Sequence, residues 1–389
     1  MKKIISVLTG LALVAGAAMA DGITFGSWGR GLWNVAANSG DDVVTDMHQS
    51  WGGLAPRTGI GVSGSTENVG FAVDMFANGE KGDKDKGITI GDNALIWVKP
   101  IEQIKIVAGK KDQNELRGDA AFGLWSWDRI GAVGAMVLEG WTFPDVFDGN
   151  GVAVVAYPID GLTVGAGIPL SLNGTGATLE NTYAHGANYA AAYAIDGIGT
   201  IKAAYMTKAD GTSRDAKKDS TSYGVIAAAF DLTMVDGLYA TVGAQIPTAS
   251  VNEFDSTIVN AYARYSLDAL AVHLAVGTKL NTVDNSKTDD SKYDGNLGFA
   301  IGAGADYSLD NGIGFFGDVR YANGVYMKNT SADKSDCLTL GLGVEKNFSN
   351  GKIGIAFEGA TNGKNGYGRY TYEDDAFAWE IPVKVEYCF

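Results

Sequence analysis

The chain has 389 residues, with 54 glycines, only 7 prolines, 19% charged residues and a formal net charge of −15. That acidity disfavours a polyanionic partner such as nucleic acid. Beyond the N-terminus no apolar run approaches the ~18 residues of a membrane-crossing helix. A soluble globule of this length would ordinarily split into domains. Here apolar residues alternate one by one instead of recurring at helical spacing, which predicts a single all-β unit.

At the start, Met1-Lys2-Lys3 is a short positive segment, Ile4 to Val14 is apolar, and Ala18-Met19-Ala20 is a small-x-small site. That pattern predicts a secretory signal peptide over 1–20, with residues 21–389 as the mature unit. Two weak turn signals follow, Glu67-Asn68-Val69 and Pro100-Ile101-Glu102. After the fifth predicted strand comes a connection much longer than the others, 112–150, and structureless stretches of that length are usually functional.

The C-terminal two thirds repeat one hairpin turn. Tyr157-Pro-Ile-Asp160-Gly161 is echoed by Tyr193-Ala-Ile-Asp196-Gly197, Tyr265-Ser-Leu-Asp268-Ala269 and Tyr307-Ser-Leu-Asp310-Asn-Gly312, with looser copies at Asp236-Gly237 and Asn350-Gly351. Asp-Gly and Asn-Gly tolerate the positive φ that tight β-hairpins need. Longer polar connections lie between these turns, at 37–53, 78–87, 208–220, 247–256, 281–296, 322–336 and 361–375. Eight short turns on one rim, with both termini on that side, give about 18 antiparallel strands, and 16 is the neighbouring even count. The flanking segments alternate strictly: Leu338, Leu340, Leu342 and Val344 oppose Thr339, Gly341, Gly343 and Glu345. One greasy face and one wet face predict a closed transmembrane antiparallel β-barrel. Tyr157, Tyr193, Phe230, Tyr265, Tyr307 and Phe348 mark the turn rim as an aromatic girdle.

Parity assigns charged side chains to the inner face. The pore-lining candidates are Arg30, Lys105, Lys111, Lys202, Arg264, Lys279, Asp306, Asp318, Arg320, Glu345, Glu358 and Lys384, joined by Glu380 and Glu386. Both signs occur at several depths, so ion preference stays open. Cys337 and Cys388 fall at opposite ends of their strands and are expected to be free thiols.

Catalytic signals are scant. His48, His185 and His273 are the only histidines, no Ser lies in a nucleophile elbow, and no CxxC or HExxH metal motif occurs. No catalytic residue, metal or cofactor is expected.

The last strand places Phe377, Trp379, Ile381, Val383, Val385, Tyr387 and Phe389 on one face. It resembles the closing strand of bacterial outer-membrane barrels, which implies that Tyr387 and Phe389 belong to the signal read by the barrel-assembly machinery. In plan the chain resembles a general porin, and Phe25-Gly-Ser-Trp28-Gly-Arg30-Gly-Leu-Trp33 is similar to the opening of spirochaetal major surface proteins. The porin resemblance implies passive diffusion of small hydrophilic solutes and ions across the outer membrane of a diderm bacterium. Lipid contact on the outside, homotrimerisation and no covalent chemistry come with it. It also implies that the third long loop folds into the lumen, which makes Asp112, Glu115, Arg117, Asp119, Asp128 and Arg129 constriction candidates. Read from its residues alone, that segment could equally hold an extra strand at 130–139 or cap the barrel from outside. The alternative function is a surface antigen or adhesin that uses the barrel as a scaffold.

Overall fold

The computed structural model describes residues 22–39, 41–47, 49–50, 53–54, 57–78, 89–111, 149–170, 187–207, 224–247, 257–280, 297–327, 336–365 and 370–389. The predicted signal peptide and the constriction candidates Asp112, Glu115, Arg117, Asp119, Asp128 and Arg129 lie outside the described residues, as do His48 and His185.

Almost everything described is strand. The first part holds β1 (Ile23–Ser39), β2 (Asp42–Met47), the two-residue β3 (Gln49–Ser50) and β4 (Gly53–Leu54), and β5 (Arg57–Ser65). Next come β6 (Val69–Asn78), β7 (Thr89–Ile101), β8 (Ile104–Lys111), β9 (Gly149–Ile159) and β10 (Leu162–Pro169). The middle holds β11 (Asn188–Ile195), β12 (Gly199–Thr207), β13 (Gly224–Leu232), β14 (Leu238–Pro247), β15 (Thr257–Leu267) and β16 (Leu270–Leu280). The chain finishes with β17 (Gly298–Ser308), β18 (Ile313–Ala322), a helical turn α1 (Gly324–Met327), β19 (Cys337–Phe348), β20 (Gly351–Asn365) and β21 (Tyr370–Cys388).

From β5 to β21 each strand pairs antiparallel with the next, and β1 pairs with both β5 and β21. The sheet therefore closes on itself. It counts 19 strands, of which 18 form the ring while β2 pairs antiparallel with the second half of β1, beyond β5, at the rim. The closing seam is complete to the last residue, because Ser27 N–H donates to the Phe389 carbonyl at 3.0 Å and Phe389 N–H donates to Ser27 at 2.8 Å.

The short turns fall at the expected repeats. Gly161, Gly197, Gly237 and Gly312 take φ between 69° and 82°, and Asp268, which has no glycine beside it, takes φ 47°. The longer connections depart from expectation in three places. Residues 37–53 are largely a hairpin of β1 and β2, and 361–375 are mostly strand, since β20 and β21 pair out to Asn365↔Tyr370. The start of 322–336 forms α1. Beyond the hydrocarbon the ladder still forms, but no apolar alternation is needed there, so a polar composition conceals strand. Cys337 opens β19 and Cys388 closes β21, and neither forms a disulfide.

Side-chain alternation defines two faces. On β19, Leu338, Leu340, Leu342 and Val344 are exposed on the outside, while Cys337, Thr339 and Gly341 are buried on the inside. The same alternation runs through β17 and β18, with Phe299, Ile301, Phe315 and Val319 outward. Tyr193, Tyr265, Tyr307 and Phe348 stand exposed at the turn rim as a girdle, and Tyr157 and Phe230 are half-buried.

Many glycines act as sockets for rings on the neighbouring strand. A Cβ at Gly59 would meet Trp28 at 2.4 Å, at Gly70 Trp97 at 2.5 Å, and at Gly343 Phe316 at 2.1 Å, all on the inner face. On the outer face Gly29 receives Tyr387, and a Cβ there would stand 2.0 Å from the ring. The glycine content thus follows from ring packing as much as from turns.

Leu340→Arg, on the outer face, is expected to lower the unfolding free energy by about 2–4 kcal/mol in urea titration of vesicle-inserted protein. A change near zero would refute the outward assignment.

Candidate functional site on the inner wall

Period-two geometry sends every second side chain of each strand to the interior. The charged ones gather in two regions. The first spans β18 to β21 and β1. Neighbouring residues on one rung read Gly304, Asp318, Gly341, Glu358 and Glu380. Directly opposed like charges such as Glu358 and Glu380 destabilise a sheet unless compensated. Compensation is at hand: Asn34 Nδ2 donates to Glu380 Oε2 at 2.9 Å, and Arg320 Nε donates to Asp318 Oδ1 at 3.2 Å from the next rung. Towards the turn rim, Lys384 Nζ pairs with Glu386 at 2.7 Å, and Lys352 stands 3.6 Å from Glu345 and 3.8 Å from Glu386. Arg30 is the register partner of Arg57, whose guanidinium lies 4.0 Å over the Phe76 ring.

Several of these groups are deeply covered: Arg320 and Glu380 are 1% exposed, Glu358 0% and Lys384 2%. Charges so far removed from water persist only where opposite charge and hydrogen bonds surround them. This wall is therefore a network of covered, mutually compensating charges.

The second region spans β12 to β17. Lys202 forms an ion pair with Asp231, which also accepts from Thr241 Oγ1 at 2.8 Å. Further along, His273 lies between Asp306 and Tyr262. His273 Nε2 lies 2.5 Å from the Asp306 carboxylate and Nδ1 lies 2.8 Å from the Tyr262 hydroxyl. Both ring nitrogens are thus engaged within the wall. Tyr239 stacks obliquely on Tyr262 at 6.2 Å, and Arg264 is the register partner of His273.

Of the inner-face candidates, Lys105 lies 5.2 Å from the Trp97 ring, beside an apolar inner strip of Val107, Ala153, Ala190, Ala204 and Ala227. Lys279 donates to the Tyr326 carbonyl at 2.9 Å. Lys111 closes β8, its backbone paired with Gly149. The structure brings Asp318, Arg320, Glu345, Glu358, Lys384 and Arg30 onto one side of the wall, and Lys202, Arg264, Lys279 and Asp306 onto another. Lys105 stands apart from both.

Sequence parity missed Arg57, Asp231, Lys352, Asn34, Tyr262 and Tyr326. Asp231 follows Ala227-Ala228-Ala229, where no apolar contrast marks the faces. Lys352 shares parity with Glu358 and was legible from it. Arg57 opens β5 just beyond the connection read at 37–53, and Tyr326 belongs to no strand.

A closed sheet with an apolar exterior and a charged interior defines a membrane-spanning β-barrel. The described architecture is similar to that of several bacterial porins. OccK5 (OpdH) of Pseudomonas aeruginosa superposes with a TM-score of 0.56 at 13% identity, covering 95% of this chain and 98% of that one. OmpF of Salmonella typhi, solved with daunomycin, gives 0.51 at 13% identity over 94% and 97%. An anion-selective porin of Comamonas acidovorans gives 0.50 at 12% identity over 94% and 100%. In sequence the chain matches no protein family and no curated protein. At these identities the likeness is one of fold: this chain has the porin fold over nearly its full length.

Arg320→Met, which leaves the buried Asp318 without its guanidinium, is expected to cost about 3–5 kcal/mol of folding free energy. Urea unfolding in lipid vesicles measures it, and a loss below about 1 kcal/mol would mean that the pair is not the support described.

Proposed function

We propose that this protein is a passive outer-membrane channel through which small hydrophilic solutes and ions diffuse, without covalent chemistry. The observation that carries the proposal is the closed ring of 18 strands with charges of both signs on its interior. Barrels of 16 to 18 strands are wide enough to leave an aqueous lumen. An interior charged at several depths would focus the field on a passing ion. Full-length similarity to porins supports the same reading.

In this proposal residues 1–20 direct export, the apolar belt contacts outer-membrane lipid, and Tyr387 with Phe389 form the assembly signal. Tyr387 and Phe389 pack ring to ring at 5.5 Å on the finished seam. Homotrimerisation follows the porin pattern. Arg264 and Lys202 are the inner-face cations we assign to ion selection in the region of β12 to β16, and the charged stretch of β18 to β21 lies further round the same sheet.

Planar-bilayer recording of the purified protein is expected to show stepwise, ohmic channels. A folded but electrically silent barrel would reject the pore and favour a surface scaffold. In a salt gradient, Arg264→Glu is expected to move the reversal potential towards cation preference. No movement would remove Arg264 from the solute pathway.

A further inference from the structure

Residues 322–336 read in sequence as an external loop, but the first of them turn inward. Asn323 shapes the turn. Its Oδ1 accepts from Tyr326 N–H at 3.0 Å and from Phe299 N–H at 2.9 Å, while its Nδ2 donates to the Leu297 carbonyl at 2.9 Å. Asp336 Oδ1 accepts from Gly324 N–H at 2.9 Å, so the return of the chain also braces the turn.

The turn docks on the inner face of β16 and β17. Lys279 Nζ donates to the Tyr326 carbonyl at 2.9 Å and lies 4.6 Å from the centre of its ring. The wall is hollowed to receive it. A Cβ at Gly277 would stand 2.8 Å from the Tyr326 hydroxyl, and one at Gly298 would stand 3.0 Å from the Tyr326 backbone. Tyr326 is 8% exposed and shares a buried cluster with Tyr262, Ala275 and Ala300 on the same stretch of wall.

Three independent kinds of contact thus hold one segment against the interior: a side-chain cap, a charged hydrogen bond and a steric socket. A segment standing on the wall subtracts from the open cross-section. It also engages the Lys279 ammonium, which by parity would otherwise face passing solutes. We propose that Tyr326 is a specificity-determining residue of the pore: its docked turn narrows the lumen beside β16 and β17 and masks the charge of Lys279. The proposal rests on the channel function and deepens it.

The test compares the parent protein with Tyr326→Ala and Gly298→Val in planar bilayers, with folding checked by heat-modifiable gel mobility. The first variant removes the ring, and the second crowds the Tyr326 backbone where it stands over Gly298 while leaving the ring in place. Both are expected to raise unit conductance and to admit larger polyethylene glycols. Tyr326→Ala is further expected to shift the reversal potential towards anions, and adding Lys279→Met is expected to cancel that shift. Folded variant channels with the parent's conductance, polymer cut-off and reversal potential would overturn the proposal. A parent protein that forms no channel would instead reject the pore itself.

Discussion

In hydrocarbon no water is available to an unpaired amide, so every backbone N–H and C=O at membrane depth must find its partner within the protein. A sheet meets that demand only by closing, and the rest of this molecule is arranged around the closure. The seam between β1 and β21 runs to the terminal Phe389, whose amide and carbonyl both bond Ser27. Pro382 in β21 is the local exception, since it has no N–H to give. It faces Asn34, where the β1 register shifts, and the partners on β20 skip from Ile355↔Val383 to Glu358↔Glu380. The irregularities on both flanks of β21 therefore coincide with the one residue that cannot donate.

Closure into a curved wall raises a second demand, for side chains of neighbouring strands to fit without prising the ladder apart. Rings answer it by lying over glycines: Trp28 on Gly59, Trp97 on Gly70, Phe316 on Gly343, and Tyr387 on Gly29. Each pair buries aromatic surface across two strands and helps hold their register, as cross-strand pairs generally do. The device works on both faces, which is why glycine is abundant while few of the glycines sit in turns.

Inside, the same backbone geometry gathers charge from strands distant in sequence. Asn34 and Glu380 come from opposite ends of the chain and meet only because the sheet closes. Arg320 with Asp318, Lys384 with Glu386, and Lys202 with Asp231 are then fixed wall elements. A wall of ion-paired and hydrogen-bonded charges of both signs presents an ordered potential to a solute, as a diffusive filter would. The inward turn at Tyr326 adds shape to that potential on the adjoining stretch of wall, β16 and β17.

How much of this was written in the sequence depends on the range of the interaction involved. Alternation and turn chemistry are local, so the all-β barrel, its short turns at Asp160-Gly161, Asp196-Gly197 and Asn350-Gly351, and the outward face of β17 to β19 could be read residue by residue. Parity also put Asp318, Arg320, Glu358 and Lys384 on the inner side, because apolar neighbours marked the other face. It failed where contrast vanished, as in the alanines before Asp231, and at the polar hairpins beyond the membrane, where composition no longer distinguishes strand from loop. Only the tertiary structure decided which charges meet, that His273 is clamped by Tyr262 and Asp306, and that Tyr326 enters sockets at Gly277 and Gly298. Those facts depend on strand register and ring closure, which are properties of the whole sheet and of no single segment.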